Sequence, residues 1–79
     1  MKIKKYEATW CSACKNVDVL LQGFKVQKID IDDNPSEVTK KAIKKLPTII
    51  VEDDNGVEVF RHVGASLDVE ELKSWLKEN

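Results

Sequence analysis

Trp10-Cys11-Ser12-Ala13-Cys14-Lys15 is the stretch on which the reading of this chain turns. Before it, Ile3 to Thr9 has the character of a strand. After it, Cys14, Val17 and Leu21, with Ala13 and Leu20, recur at spacings of three and four, which predicts a helix, and Gly23 suits that helix's C-terminus. The cysteine pair therefore falls where a strand gives way to a helix. At a helix N-terminus, unpaired backbone N–H groups and the macrodipole favour a thiolate. The thiolate is the nucleophilic form of cysteine, and such sites bring its pKa from about 8.5 toward ~7 or lower. Cys11 is expected to be the attacking thiol. Cys14, one turn further in, is close enough to attack a mixed disulfide and resolve it. A structural role explains the pair poorly, because a bridge across so short a loop restrains the unfolded chain little.

Working outward, Lys25 to Ile31 reads as a second strand ending in the turn cluster Asp32-Asp33-Asn34-Pro35. Pro35 or Ser36 opens a second helix, with Glu37 four before Lys41 in the favourable orientation and Val38, Ala42 and Ile43 as the expected buried stripe. Pro47 stops that pattern. Thr48-Ile49-Ile50-Val51 is a continuous apolar run, suited to a strand covered on both faces. Asp53-Asp54-Asn55-Gly56 is a hairpin signal, and Val57 to Val63 returns antiparallel, with Val57, Val59 and Val63 expected on one face. Gly64 ends it. A last helix opens near Ser66 or Asp68, where Asp68 and Glu71 have capping-box spacing, and carries Val69, Leu72, Trp75 and Leu76. The order β-α-β-α-β-β-α predicts an α/β fold, a mixed four-stranded sheet with helices on both faces, as one domain over residues 1–79.

Composition narrows the class. Hydrophobic residues are 42% and charged residues 34% of the 79, which suits an ordinary soluble domain rather than a disordered chain. A formal net charge of −1 gives no field that favours nucleic acid or an anionic membrane. No apolar run approaches the ~20 residues of a membrane span. Met1-Lys2-Ile3-Lys4-Lys5 has basic residues with no apolar segment behind them, unlike a signal peptide, so a cytoplasmic location is expected. Two cysteines are too few for a secreted disulfide framework.

The segment Tyr6-Glu7-Ala8-Thr9-Trp10-Cys11-Ser12-Ala13-Cys14-Lys15 resembles the thioredoxin active site: an aromatic, then Ala, then Trp-Cys-x-x-Cys-Lys. Ala42-Ile43-Lys44-Lys45-Leu46-Pro47-Thr48 is similar to that family's cis-proline segment, and His62-Val63-Gly64-Ala65 resembles the strand and glycine that complete its substrate groove. The element order matches the minimal, glutaredoxin-like form of the thioredoxin/glutaredoxin family, and the likeness covers nearly the whole chain. It implies a thioredoxin-like fold and a dithiol–disulfide oxidoreductase that reduces protein disulfides through Cys11 and Cys14. It implies no cofactor beyond the redox-active Cys11–Cys14 disulfide. Pro47 would be cis, a state rare even among X-Pro bonds, and would lie against the sulfurs and keep them from capturing a metal. The backbone of Leu46 would pair with an extended substrate segment. Trp10, Ser12, Ala13 and Gly64 would complete the substrate site. The implied partners are protein disulfides, ribonucleotide reductase among them, with thioredoxin reductase or glutathione as electron donor. Trp10 and Leu46-Pro47-Thr48 lean toward the reductase, and a monomer is expected.

The chain also departs from the family. Ser12-Ala13 replaces the usual Gly-Pro or Pro-Tyr, at a position that influences redox potential. Lys5 stands where thioredoxins keep a buried Asp, and Glu7 where they have a second tryptophan. Gly64-Ala65-Ser66-Leu67-Asp68 faintly resembles the glutathione-holding Gly-Gly-x-x-Asp of glutaredoxins. Alternation puts Ile3, Lys5, Glu7 and Thr9 on one face. A lone buried ammonium there would cost several kcal/mol, so Lys5 and Glu7 are expected to form a partly buried pair, with the Lys5 head drawn outward, that modulates Cys14.

Plainer readings stand beside these. The cysteines could be half of a zinc or iron–sulfur site in a thioredoxin-fold adaptor or metal-binding module, which needs four ligands, while the sequence offers no third cysteine and one histidine, His62. Trp10 suits a groove or a core, and Pro47 could be a simple helix stop. His62 is expected to be exposed on an edge strand, and Trp75 to pack in the core or between helix and sheet. Lys40, Lys41, Lys44 and Lys45 read as a solvated surface or as a dock for an acidic reductase.

Overall fold

The unbroken apolar run does become a strand with two covered faces: Thr48–Glu52 is buried along its whole length. In the computed structural model of the chain, residues 1–76 are described. Among them the order is β1 (Lys2–Glu7), α1 (Ser12–Leu20), β2 (Val26–Asp30), α2 (Pro35–Lys40), β3 (Thr48–Glu52), β4 (Glu58–Val63) and α3 (Val69–Leu76), as predicted. Of the domain expected over 1–79, residues 77–79 lie outside the described residues. The strands form one mixed sheet in the order β2-β1-β3-β4, with β1 and β2 parallel and the other pairings antiparallel.

One face of the sheet carries the main core. Ile3, Ile49 and Val51 pack against Val17 and Leu21 of the first helical segment and Leu72 of α3, with Leu67 beside them. Truncating a residue such as the fully buried Leu72 to Ala would cost about 2–5 kcal/mol. The other face carries Tyr6, Ile29 and Ile50, covered by Ile31, Ile43 and Leu46. α2 lies over this face as well, its Glu37 accepting from the Tyr6 hydroxyl, so helices lie on both faces. Asp68 caps α3, its carboxylate accepting from the N–H groups of Glu70 at 3.0 Å and Glu71 at 3.2 Å.

Several local expectations are corrected. β1 stops at Glu7, two residues short of Thr9, because the chain turns there and the Cys11 N–H donates to the Ala8 carbonyl at 3.1 Å. β2 is likewise shorter at both ends than 25–31. The Glu37–Lys41 pair does not form: Glu37 accepts from the Tyr6 hydroxyl at 2.7 Å, and Lys41 pairs with Glu52 at 2.9 Å. Both side chains are drawn toward the sheet, where buried polar groups need partners. Lys41 is therefore not part of a solvated lysine surface.

No residue of α2 is fully buried, and Ala42 is exposed, because the helix ends before it. Val57, just before β4, and Val63 at its end are exposed and Val59 packs partly buried against the core, while Phe60 and His62 stand opposite Val51 and Ile49 of the core strand. The register shift between Val51 and Glu52 explains why simple alternation from Val57 misassigns the face. His62 is consequently half-buried rather than exposed, with its Nε2 enclosed. Trp75 is partly exposed and stacks on Phe60, ring centroids 6.0 Å apart.

Candidate active site

The turn that ends β1 delivers Cys11 to the N-cap of α1 in extended conformation (φ −100°, ψ 103°), and its Sγ accepts from the Cys14 N–H at 3.1 Å. A cysteine sulfur thus takes the place that Ser, Asp or Asn usually fills at a helix start, facing backbone donors that favour negative charge on it. Cys11 and Cys14 are joined by a disulfide, with Cα atoms 5.4 Å apart. They pack with Ala8, and Ala13, Ile31 and Leu46 close around them.

The two sulfurs open in different directions. Cys11 lines a groove of about 430 Å³ with Trp10, Ile31, Ile43, Lys44, Lys45 and Leu46. Trp10 is 67% exposed, so the groove reading holds and the core reading does not. Its indole N–H donates to Asp32 at 3.1 Å, which fixes the ring as one wall. The lining continues through Lys44, Lys45 and Leu46 into the Leu46–Pro47 peptide, which is cis as expected. Leu46 packs on the cysteine cluster, while Pro47 is fully buried at the head of β3. The Pro47 carbonyl accepts from the Gly64 N–H at 2.8 Å, tying the two predicted segments together. Gly64 has φ +104° and open space where a Cβ would stand, so glycine is required there for backbone conformation, not for clearance. Ser12 is exposed at the first turn of α1 and Ala13 is half-buried.

Cys14, 2% exposed, faces a second cavity of about 300 Å³, lined by Lys5, Glu7, Ala8, Thr9, Lys15 and Asp18 as well. Lys5 and Glu7 do pair. The expectation that the Lys5 head would be drawn outward is corrected, since its side chain is 1% exposed. Burial is possible because a second carboxylate meets it: Lys5 Nζ donates to Asp18 at 2.7 Å, and Asp18 also faces Lys28 at 3.5 Å. Burial pushes the Asp18 carboxyl up, but the hydrogen bond and charge of Lys5, with Lys28 behind, outweigh it and hold the group below its ordinary value. Asp18 was missed from sequence. Its signal was available, because it sits four residues after Cys14 and so one turn along the same helix face. Ile31 and Ile43 were also missed as groove residues, and Asp32 as the partner of Trp10, and no local pattern marks them. Among the described residues, no group of three or more His, Cys, Asp or Glu is placed to hold a metal ion.

A disulfide at a helix N-cap, one cysteine lining a groove beside Trp10 and Leu46 and the other a separate charged cavity, defines the site of a dithiol–disulfide oxidoreductase. Comparison with known proteins agrees. The thioredoxin family model matches residues 2–78. The chain is 33% identical over 72 residues to a thioredoxin of Staphylococcus epidermidis, covering 81% of this chain and 68% of that one. It is 32% identical to a thioredoxin of Staphylococcus aureus over the same shares. Reduced Schistosoma mansoni thioredoxin superposes with a TM-score of 0.74 at 28% identity, covering 94% of this chain and 73% of that one. Thioredoxin 1 of Thermosipho africanus gives 0.74 at 26%, covering 96% and 94%. The chain belongs to the thioredoxin family, and it is a thiol–disulfide oxidoreductase whose redox pair is Cys11–Cys14.

Proposed function

We propose that the protein reduces protein disulfides with Cys11 as attacking thiol and Cys14 as resolving thiol, and that a thioredoxin reductase resets it. The observation that carries the assignment is the difference between the sulfurs: Cys11 caps the helix, lines the groove and is 8% exposed, whereas Cys14 is 2% exposed and faces the Lys5 cavity. The Cys11 thiolate attacks one sulfur of the substrate disulfide. The other substrate sulfur leaves as a thiolate and takes up a proton. Cys14 gives up its proton, and its thiolate attacks Cys11 Sγ, forming the intramolecular disulfide and releasing the second substrate thiol. Two electrons and two protons from the donor restore the dithiol. Trp10, Ser12, Ala13 and Leu46 form the substrate face, and Pro47 and Gly64, bonded to each other behind it, hold Leu46 in place. Lys5 and Glu7, with Asp18, set the charge around Cys14, where the ammonium favours its thiolate.

The Leu46-Pro47-Thr48 segment and the exposed Trp10 support a protein reductase rather than glutathione as donor. Ribonucleotide reductase is among the clients of this reading, and the protein works as a cytoplasmic monomer. Mass spectrometry after exposure to a disulfide protein tests the roles: Cys14→Ser accumulates a mixed disulfide, and Cys11→Ser forms no adduct. The reverse pattern exchanges the two roles. Re-reduction by millimolar glutathione as fast as by a cognate reductase with NADPH overturns the donor assignment.

A further inference from the structure

Part of the groove lining, from Ile43 to Leu46, is an irregular segment, and the structure shows what holds it. α2 ends in a Schellman motif: the Ile43 N–H donates to the Val38 carbonyl at 2.9 Å and the Ala42 N–H to the Thr39 carbonyl at 3.2 Å. The residue between, Ala42, is left-handed at φ +52°, a position where glycine is the usual occupant. Such a turn leaves the last carbonyls of the helix in need of donors. Arg61, on the edge strand β4, supplies them. Its Nη2 donates to the Lys41 carbonyl at 2.7 Å and its Nη1 to the Ala42 carbonyl at 3.4 Å. Glu58 aims the guanidinium through a two-pronged pair, 2.7 Å to Nε and 2.9 Å to Nη2. The next residues, Ile43 to Leu46, are those that line the groove with Cys11 and enter the cis Leu46–Pro47 peptide.

We infer that Arg61, oriented by Glu58, is a positioning residue for substrate: it pins the Lys41–Ala42 turn and thereby sets the place of the Ile43–Leu46 wall beside Cys11. This rests on the reading of that groove as the substrate site. Arg61 touches neither sulfur, so its loss changes how a protein disulfide is held and leaves the reactivity of Cys11 intact. An Ala42 that no longer needs to be forced into the left-handed region also needs the latch less.

The test compares the unaltered protein with Arg61→Met, Arg61→Lys and Arg61→Met with Ala42→Gly. Insulin reduction, the alkylation rate of reduced Cys11 by iodoacetamide across pH, and amide hydrogen exchange at residues 43–46 are measured on each. For Arg61→Met, KM for insulin rises about tenfold with kcat nearly unchanged, the signature of binding lost equally from ground and transition states. Alkylation keeps its rate and its pH midpoint, and exchange at residues 43–46 quickens. Arg61→Lys, with one point donor in place of a fork, falls between. Adding Ala42→Gly brings KM back toward the starting value. Unchanged KM, or a fall in kcat and alkylation together, overturns the inference. If insulin is not turned over by the unaltered protein, the reading of the groove fails separately, and unchanged exchange at residues 43–46 in Arg61→Met then overturns the latch on its own.

Discussion

Lys4 and Lys5 are neighbours on β1, yet they point to opposite faces of the sheet and join two charge chains that invite comparison. On one face, the buried cation Lys5 is clasped by Glu7 and Asp18, with Lys28 beyond. On the other, the buried anion Glu52 is clasped by Lys4 at 3.2 Å and Lys41 at 2.9 Å. Each is a buried charge that the fold tolerates only because two opposite charges meet it. They differ in what lies next to them. The Lys5 chain shares a cavity with Cys14, so its charges act on a sulfur that must lose a proton. The Glu52 chain ties the end of α2 to the central strand, so its charges act on architecture. One electrostatic device thus serves reactivity on one side of the sheet and shape on the other, and the sign of the enclosed charge follows from its neighbour.

The largest effect is expected when a central ion loses both partners. Glu7→Gln with Asp18→Asn leaves the Lys5 ammonium enclosed and unpaired, and denaturant unfolding should show a loss of about 3–5 kcal/mol. Lys4→Met with Lys41→Met should do comparable damage around Glu52. A loss under about 1 kcal/mol on either face would break the parallel, because that ion would then have found water or given up its charge.

Removing the central ion itself is milder, since Glu7 and Asp18 are partly exposed and can rehydrate. Lys5→Met should cost about 1–3 kcal/mol, and less again when Glu7→Leu accompanies it. The same substitution should raise the Cys14 pKa in the dithiol form through loss of the nearby positive charge. Glu52→Gln should leave the thiol titration where it is, whatever it does to stability. Equal thiol shifts from the two substitutions would erase the functional distinction between the faces.

The smallest effect is on pH dependence, where the two chains should behave alike. Asp18 and Glu52 both titrate below the ordinary 3.8 and 4.5: burial pushes each up, and the adjoining lysines outweigh it. A carboxyl depressed in the folded state adds stability that is present at neutral pH and lost as pH falls through its folded value. Stability should therefore begin to fall as pH enters the ordinary carboxylate range and keep falling through the folded values, and Asp18→Asn or Glu52→Gln should each flatten part of that dependence.

The parts of this molecule that were legible in the sequence are those written as local pattern. The cysteine spacing, the apolar run of β3, the Asn55-Gly56 turn and the helix periodicities are decided by neighbours in the chain, and the element order followed from them. Pro47 and Gly64 were legible only through resemblance. What escaped was pairing between elements. Nothing local told Lys41 to leave Glu37 for Glu52, or Trp10 to bond Asp32. Those choices depend on which faces meet after packing. Lys5 was recognised as a problem because a buried lysine needs an anion. Half of the solution, Asp18, lay on another element and was overlooked.

Tyr6 is the chain's single tyrosine, fully buried, its hydroxyl bonded to Glu37 at 2.7 Å. Burial first, and then that bond and charge, push its ionisation far above the ordinary phenol value of 10.0. A group raised in this way adds stability that is fully present below the ordinary value and disappears as pH climbs through the folded one. In optical terms the protein therefore carries its own indicator. The absorbance of phenolate cannot develop at its usual pH while the sheet is closed, so its appearance in an alkaline titration marks the opening of the fold, in the dithiol and the disulfide form alike, without a dye or a label.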